Sequence, residues 1–311
     1  MPGTLPFMRL VHADWSTREG SRWTAQARRE GAGWLVEAPR LVGPLDRFVH
    51  DLFAEPGPVL AGFDFPIGLP EAYGRATDLA GFGQAVQAFG AAPWARFYDV
   101  CDRPDEISLQ RPFYPRVSVA GVRRDELSNG LGLGDFAALL RQCERATSDR
   151  RAACALFWTL GGNQVGKAAI HGWRSVVGPA LVRGARLWPF DGDLGALSGQ
   201  GRPVLCETYP AEAYRHLSVV FPRDGSKRRR EDRLAATAGL AERCAAHGVG
   251  LDADMRQALE DGFGRHRTGE DAFDAAMGLL GMIEVVEGRR AAGPPCAYAS
   301  AWEGWILGQA A

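Results

Sequence analysis

The sequence predicts an α/β fold in which a short antiparallel meander is extended by parallel strands. Two observations carry that reading. Three segments of alternating apolar and polar residues come first (MRLVHADWST, RWTAQARRE, GWLVEAPRLV), followed by a helix-length segment and then PVLAGFDFP. Strand text returns only at RPVLCETYP, after a long stretch of helical character.

The REGS and GAG turns separate the first three strands. Alternation places His12 and Asp14 on one side of the first strand, with Val11 and Ala13 on the other. Leu45 to Ala54 reads as a helix, and the β-β-β-α-β order makes the fourth strand a parallel neighbour of the first through a right-handed crossover. Leu60, Gly62 and Asp64 share a side there, so Asp14 and Asp64 are expected near the carboxyl ends of adjacent strands.

Strand signal fades over residues 71–184, which are expected to form a helical insertion or cap within a single domain spanning 1–311. Inside it, Asp135 to Thr147 and Ser148 to Leu160 read as two helices, and VGKAAIHGWRSVVGPALV as a third. Beyond the fifth strand the pattern predicts a short helix, a long amphipathic helix from Lys227 to Ala246, another from Asp252 to Asp261, and a closing helix from Glu270 to Glu287. Gly278 and Gly281 are small enough to let that last helix lie close to a sheet.

At 311 residues and 46% apolar, the chain can bury a core without disulfide or zinc staples. Lys+Arg of 36 against Asp+Glu of 37 gives a net charge of -1, so any nucleic-acid contact must be local rather than driven by a global positive field. Six scattered cysteines lack a C-x-x-C pair, the histidines lack metal spacing, and neither a G-x-S-x-G nor a P-loop pattern occurs. Zinc-ribbon, serine-hydrolase and Walker-type readings therefore have no local support. No signal-peptide pattern and no apolar run near the roughly 20 residues of a membrane span occur, so no membrane partner and a cytoplasmic location are expected.

Asp14, Asp64, Glu207 and Asp274 together look like a divalent-metal site, because hard Mg²⁺ or Mn²⁺ takes carboxylate oxygens and water. Each acid also has a plainer account. The plainer reading makes Asp14 a strand-end turn acid, Asp64 a cap on the PIGLP turn and Glu207 a stabiliser of the helix that follows. Asp271 shares a helical face with Asp274, but Thr268 followed by Asp271 also resembles a capping box. Lys227 and Arg230 in SKRRREDR, and Lys167 beside Asn163 and Gln164, are candidate phosphate contacts that double as solvated helix starts. Between Trp94 and Arg124, Phe97, Tyr98, Phe113 and Tyr114 alternate with Arg96, Arg103, Arg111 and Arg116, as in a single-strand binding surface or a loop pinned by buried rings.

Taken in order, ADWS, GFDFPIGLP, the CDR at 101–103, CETYPAEAY, SKRRREDR, EDAFDAAMG and EGWILG make the chain resemble domain-of-unknown-function family 429, a group of predicted nucleases. The resemblance implies an RNase H-like mixed five-stranded sheet flanked by helices, from whose minimal form the large helical insertion between strands 4 and 5 departs. It also implies metal-binding acids at Asp14, Asp64 and Asp274, with Asp271 beside the last and Glu207 closing the fifth strand. The expected activity is Mg²⁺- or Mn²⁺-dependent phosphodiester hydrolysis on a nucleic-acid substrate, DNA or RNA. Alternatives are small-molecule phosphoryl transfer of the actin-like or sugar-kinase type and a non-catalytic RNase H-like binding scaffold.

Overall fold

Alternating apolar residues at the N-terminus are realised as strands in the computed structural model, which describes residues 3–116, 121–148, 150–160, 165–265 and 269–311. The strands are β1 (Arg9–Asp14), β2 (Trp23–Glu30), β3 (Gly33–Val36), β4 (Arg40–Leu41), β5 (Val59–Phe63), β6 (Arg186–Leu187), β7 (Val204–Glu207) and β8 (Val249–Leu251). The chain divides into two compact units. The first comprises Met1–Asp64, Asp193–Gly293 and Ile306–Ala310, and the second Phe65–Gly192 with Pro294–Trp305.

The first unit is α/β, with a mixed sheet flanked by helices. Its strand order is β7-β5-β1-β2-β3-β8, with β4 on β2. β1 and β2, and β2 and β3, pair antiparallel; β1 with β5, β5 with β7, and β3 with β8 pair parallel. The expected meander and the parallel β1–β5 pair are therefore present. The sheet is larger than the five strands expected. GWLVEAPRLV breaks at Ala38-Pro39 into β3 and β4, because proline cannot donate to a ladder, and the three-residue β8 adds an edge between two helices.

Alternation assigns the two faces of the sheet. On one, Phe63 of β5 packs edge-on against Phe48 of the helix Leu45–Ala54 and against Trp15. On the other lies the helix Gly269–Val286, buried along nearly its whole length. It comes close to the sheet at Gly278, where a Cβ would meet the His12 ring at 2.2 Å, and to the helix Pro210–His216 at Gly281, where a Cβ would meet Ala213 Cβ at 2.7 Å. His12 is held at both ring nitrogens, 3.0 Å from Ala275 O and 2.9 Å from Thr208 Oγ1. A carbonyl only accepts, so Nδ1 carries the proton and Nε2 accepts from the threonine hydroxyl. Burial keeps this ring neutral, pulling its pKa down to about 4.

Two expected helices take other forms. Lys227 to Ala246 is not one helix but two, Arg230–Ala236 and Leu240–Ala246, separated at Gly239 with φ 70°. Thr237 Oγ1 donates to Arg233 O at that break, the backbone competition that makes threonine a poor helix interior residue. In the second unit, the described residues of 135–160 form, as helical elements, only the short 3-10 turns Phe136–Leu139 and Gln142–Glu144. Their backbone bonds go to distant partners instead. Ala153 N donates to Glu144 O, Tyr114 N to Phe157 O and Thr159 N to Tyr114 O. Arg141 and Glu144, both buried, pair with each other, and Arg141 Nη1 also donates to Glu303 O at 3.1 Å. The third expected helix is present as Val165–Gly172 and Gly178–Val182 joined by a π turn.

The aromatic stretch of the second unit is core. Phe97, Phe113 and Tyr114 are buried, with Phe97 stacked on Phe89 at 3.4 Å between centroids. The interleaved arginines are spent on local acids, Arg96 on Asp99, Arg103 on Asp105, Arg111 on Glu106 and Arg116 on Asp102. A stacking surface built from Phe97, Phe113 and Tyr114 is thereby overturned.

Candidate active site

The ladder between β1 and β5 ends at the pair Ala13 and Phe63, so the next residues, Asp14 and Asp64, emerge side by side from the carboxyl ends of two parallel strands. The two carboxyls are neighbours, each perturbing the other's ionisation. Asp64 Oδ1 also accepts the Trp15 backbone N–H at 2.6 Å, which fixes the carboxylate against the turn leaving β1. Asp274 arrives from the helix Gly269–Val286, one residue before the Ala275 carbonyl that anchors His12. The same glycine-enabled approach that seats His12 thus brings the third acid to the strand ends.

Both oxygens of Asp274 are engaged. Tyr214, on the helix Pro210–His216, donates its hydroxyl to Oδ1, and the Lys227 ammonium donates to Oδ2. Asp271 sits one turn earlier on the same helix, half-buried. Burial raises the Asp14 carboxyl well above the usual range, reinforced by Asp64, Asp274 and Asp271. Burial also lifts Asp64 to about 7, against the Trp15 N–H, and lifts Asp271 to about 6 with help from Glu270 and Asp274. Asp274 is raised by burial too, although Lys227 and Tyr214 oppose the rise. Burial disfavours the Lys227 ammonium, yet Asp274 and Asp14 carry its pKa above that of an ordinary lysine. The carboxylates are under-neutralised: one ammonium stands among four acids that repel one another.

Other expected residues are placed elsewhere. Glu207 is in register with Phe63, one position out of phase with Asp64, and so takes the parity of the Phe63 face rather than that of His12 and Asp64. Its backbone carbonyl accepts Leu307 N at 2.9 Å. Arg230 turns to Asp261, donating from Nη2 to the carboxylate at 2.5 Å and from Nε to the carbonyl at 2.7 Å. Lys167 lies in the second unit on the helix Val165–Gly172, while Asn163, Gln164 and Thr268 fall outside the described residues. Tyr214 was not among the sequence candidates, and neither was Arg233, whose buried guanidinium donates to Lys227 O at 2.5 Å, Gly262 O and Gly264 O. TYPAEAY and SKRRREDR contain both, but nothing in either motif singles them out.

The donor set is of the kind that suits Mg²⁺ or Mn²⁺: hard carboxylate oxygens with unbalanced negative charge. Among the described residues, no three His, Cys, Asp or Glu side chains stand ready-made to hold a metal ion. Among the described residues, no helix is long and apolar enough to cross a membrane. Neither a protein-family model, nor a curated protein, nor a solved structure matches this chain.

Proposed function

We propose that the chain is a divalent-metal-dependent phosphodiesterase acting on nucleic acid, with an RNase H-like catalytic unit. The observation that carries this reading is the meeting of Asp14, Asp64 and Asp274, drawn from two parallel strands and one helix, in a buried place where their charge is not balanced. The strand order β3-β2-β1-β5-β7, with its antiparallel meander and parallel continuation, is the order an RNase H-like fold would have. The motif order resembling family 429 supports the same assignment.

Asp14 and Asp64 would hold Mg²⁺ or Mn²⁺, completed by Asp274 with Asp271 nearby. A cation held by these acids would polarise a phosphoryl oxygen and lower the pKa of water, making hydroxide available as the nucleophile. The chain's own groups orient the carboxylates: Trp15 N–H fixes Asp64 and the Tyr214 hydroxyl fixes Asp274. Lys227, paired with Asp274, would supply the positive charge beside the acids that a phosphate oxygen needs. Four clustered carboxyls would repel a phosphodiester by themselves, so substrate binding requires that added positive charge.

The test is Mn²⁺-dependent cleavage of labelled single-stranded, duplex, hybrid and branched nucleic acids by wild type and by Asp64→Asn. Cleavage by wild type alone supports the nuclease and names its substrate class. Silence from both, with turnover of a nucleotide or sugar phosphate, would move the assignment to small-molecule phosphoryl transfer.

A further inference from the structure

Both oxygens of Asp274 already accept a hydrogen bond, Oδ1 from Tyr214 and Oδ2 from Lys227, so an entering cation meets a neutral hydroxyl at one and a positive ammonium at the other, and only the ammonium opposes it by charge. The two donors differ in freedom. The Tyr214 ring is wedged among Phe221 and Phe273, at 5.6 Å between centroids in each case. The Lys227 side chain is 42% exposed, whereas that of Asp274 is 5% exposed, so the lysine reaches in from solvent to a buried acid. The Lys227 backbone is pinned independently by Arg233, which leaves only the aliphatic stem to swing.

We infer that Lys227 is an internal counter-cation: its ammonium neutralises Asp274 in the metal-free chain and is displaced from Oδ2 when a divalent cation enters. This rests on the metal-site reading above and adds a gate to it. Ammonium and metal compete for Asp274, so the lysine offsets part of the acids' mutual repulsion until a cation binds. It also sets the cation concentration at which the site fills. Once displaced, the ammonium becomes available to a phosphate oxygen, which couples metal loading to substrate contact.

The experiment is Mn²⁺ titration by calorimetry of wild type, Lys227→Gln, Lys227→Met and Arg228→Gln. Arg228 is an exposed neighbour that pairs with Glu270 rather than Asp274, and it controls for loss of one nearby charge. Removing the competitor is expected to tighten Mn²⁺ binding about tenfold, the scale of one charged hydrogen bond. The Arg228 variant is expected to change it less than about twofold, as for an exposed charge. A second readout follows the lysine directly. The chain contains only Lys167 and Lys227, so lysine-selective ¹³Cε labelling gives two side-chain signals, assigned by Lys227→Gln. Saturating Mg²⁺ is expected to move the Lys227 signal toward that of a solvated lysine and leave Lys167 in place. An unmoved Lys227 signal at saturation, or equal Mn²⁺ affinity in wild type and both Lys227 variants, overturns the gate while leaving the metal site standing. Absence of Mn²⁺ binding from every variant overturns both; binding by the Lys227 variants alone supports both.

Discussion

Gly278 lies so close to His12 that a Cβ on the glycine would stand 2.2 Å from the imidazole. The C-terminal helix therefore reaches the sheet only because position 278 has no side chain, and Asp274 reaches Asp14 and Asp64 by the same approach. Gly278→Ala forces either the doubly hydrogen-bonded ring or the helix to shift. It is expected to lower stability by about 2 kcal/mol, within the range for overpacking a filled core. The urea midpoint of the variant checks this; an unchanged midpoint would mean that the helix is not held at that distance.

The buried His12 makes stability depend on pH with a definite sign. Its folded pKa of about 4 lies below the ordinary 6.5, so the folded chain binds fewer protons there than the unfolded one. The contribution is fully present above pH 6.5 and is lost as pH falls toward 4, up to about 3 kcal/mol. Asp64, raised to about 7, works in the opposite direction, losing stability as pH rises from 3.8 through 7. The histidine contribution is isolated by difference: His12→Gln should show a smaller loss of stability than wild type between pH 6.5 and 4.5. Parallel pH profiles for the two proteins would contradict the assignment of a neutral, Nδ1-protonated ring.

Tyr214 and Asp274 should be energetically linked. Tyr214→Phe leaves a buried carboxylate oxygen without its hydroxyl donor, a loss of about 1–3 kcal/mol. In a double-mutant cycle with Asp274→Asn, the two changes should fall short of additivity by at least about 0.5 kcal/mol. Full additivity in urea unfolding would show that the hydroxyl does not support the acid.

Phe97 sits at the centre of a ring cluster that includes Phe89, Trp94, Phe113 and Trp173. Phe97→Ala is expected to cost about 3–5 kcal/mol, as for other buried aromatics. A folded variant of undiminished stability that had lost single-strand binding would restore the surface reading of this stretch.

Much of this architecture is legible in the sequence because it is local. Alternation in β1 and β5 places Asp14 and Asp64 on the same side as His12 and Gly62, and GEDAFDAAMGLLGM announces a helix with a glycine face. What escapes is set by distant partners. The Lys227–Asp274 pair spans 47 residues, and the bonds that replace a helix over 135–160 depend on Tyr114 and Glu303. Glu207 shows the sharpest limit. Its strand is recognisable, but its register on β5 is not, and a one-residue difference in register moves a carboxylate to the other face.

The central claim is that Asp14, Asp64 and Asp274 form one cation-dependent site, and Mn²⁺ binding followed by electron paramagnetic resonance tests it most directly. Asp64→Asn keeps an oxygen to accept the Trp15 N–H but removes the charge and replaces the second carboxyl oxygen with an NH₂ that cannot bind a hard cation. Saturable binding by wild type, weakened at least about tenfold in Asp64→Asn, is the predicted result, on the scale of losing one charged ligand. Equal Mn²⁺ binding by the two proteins would contradict it.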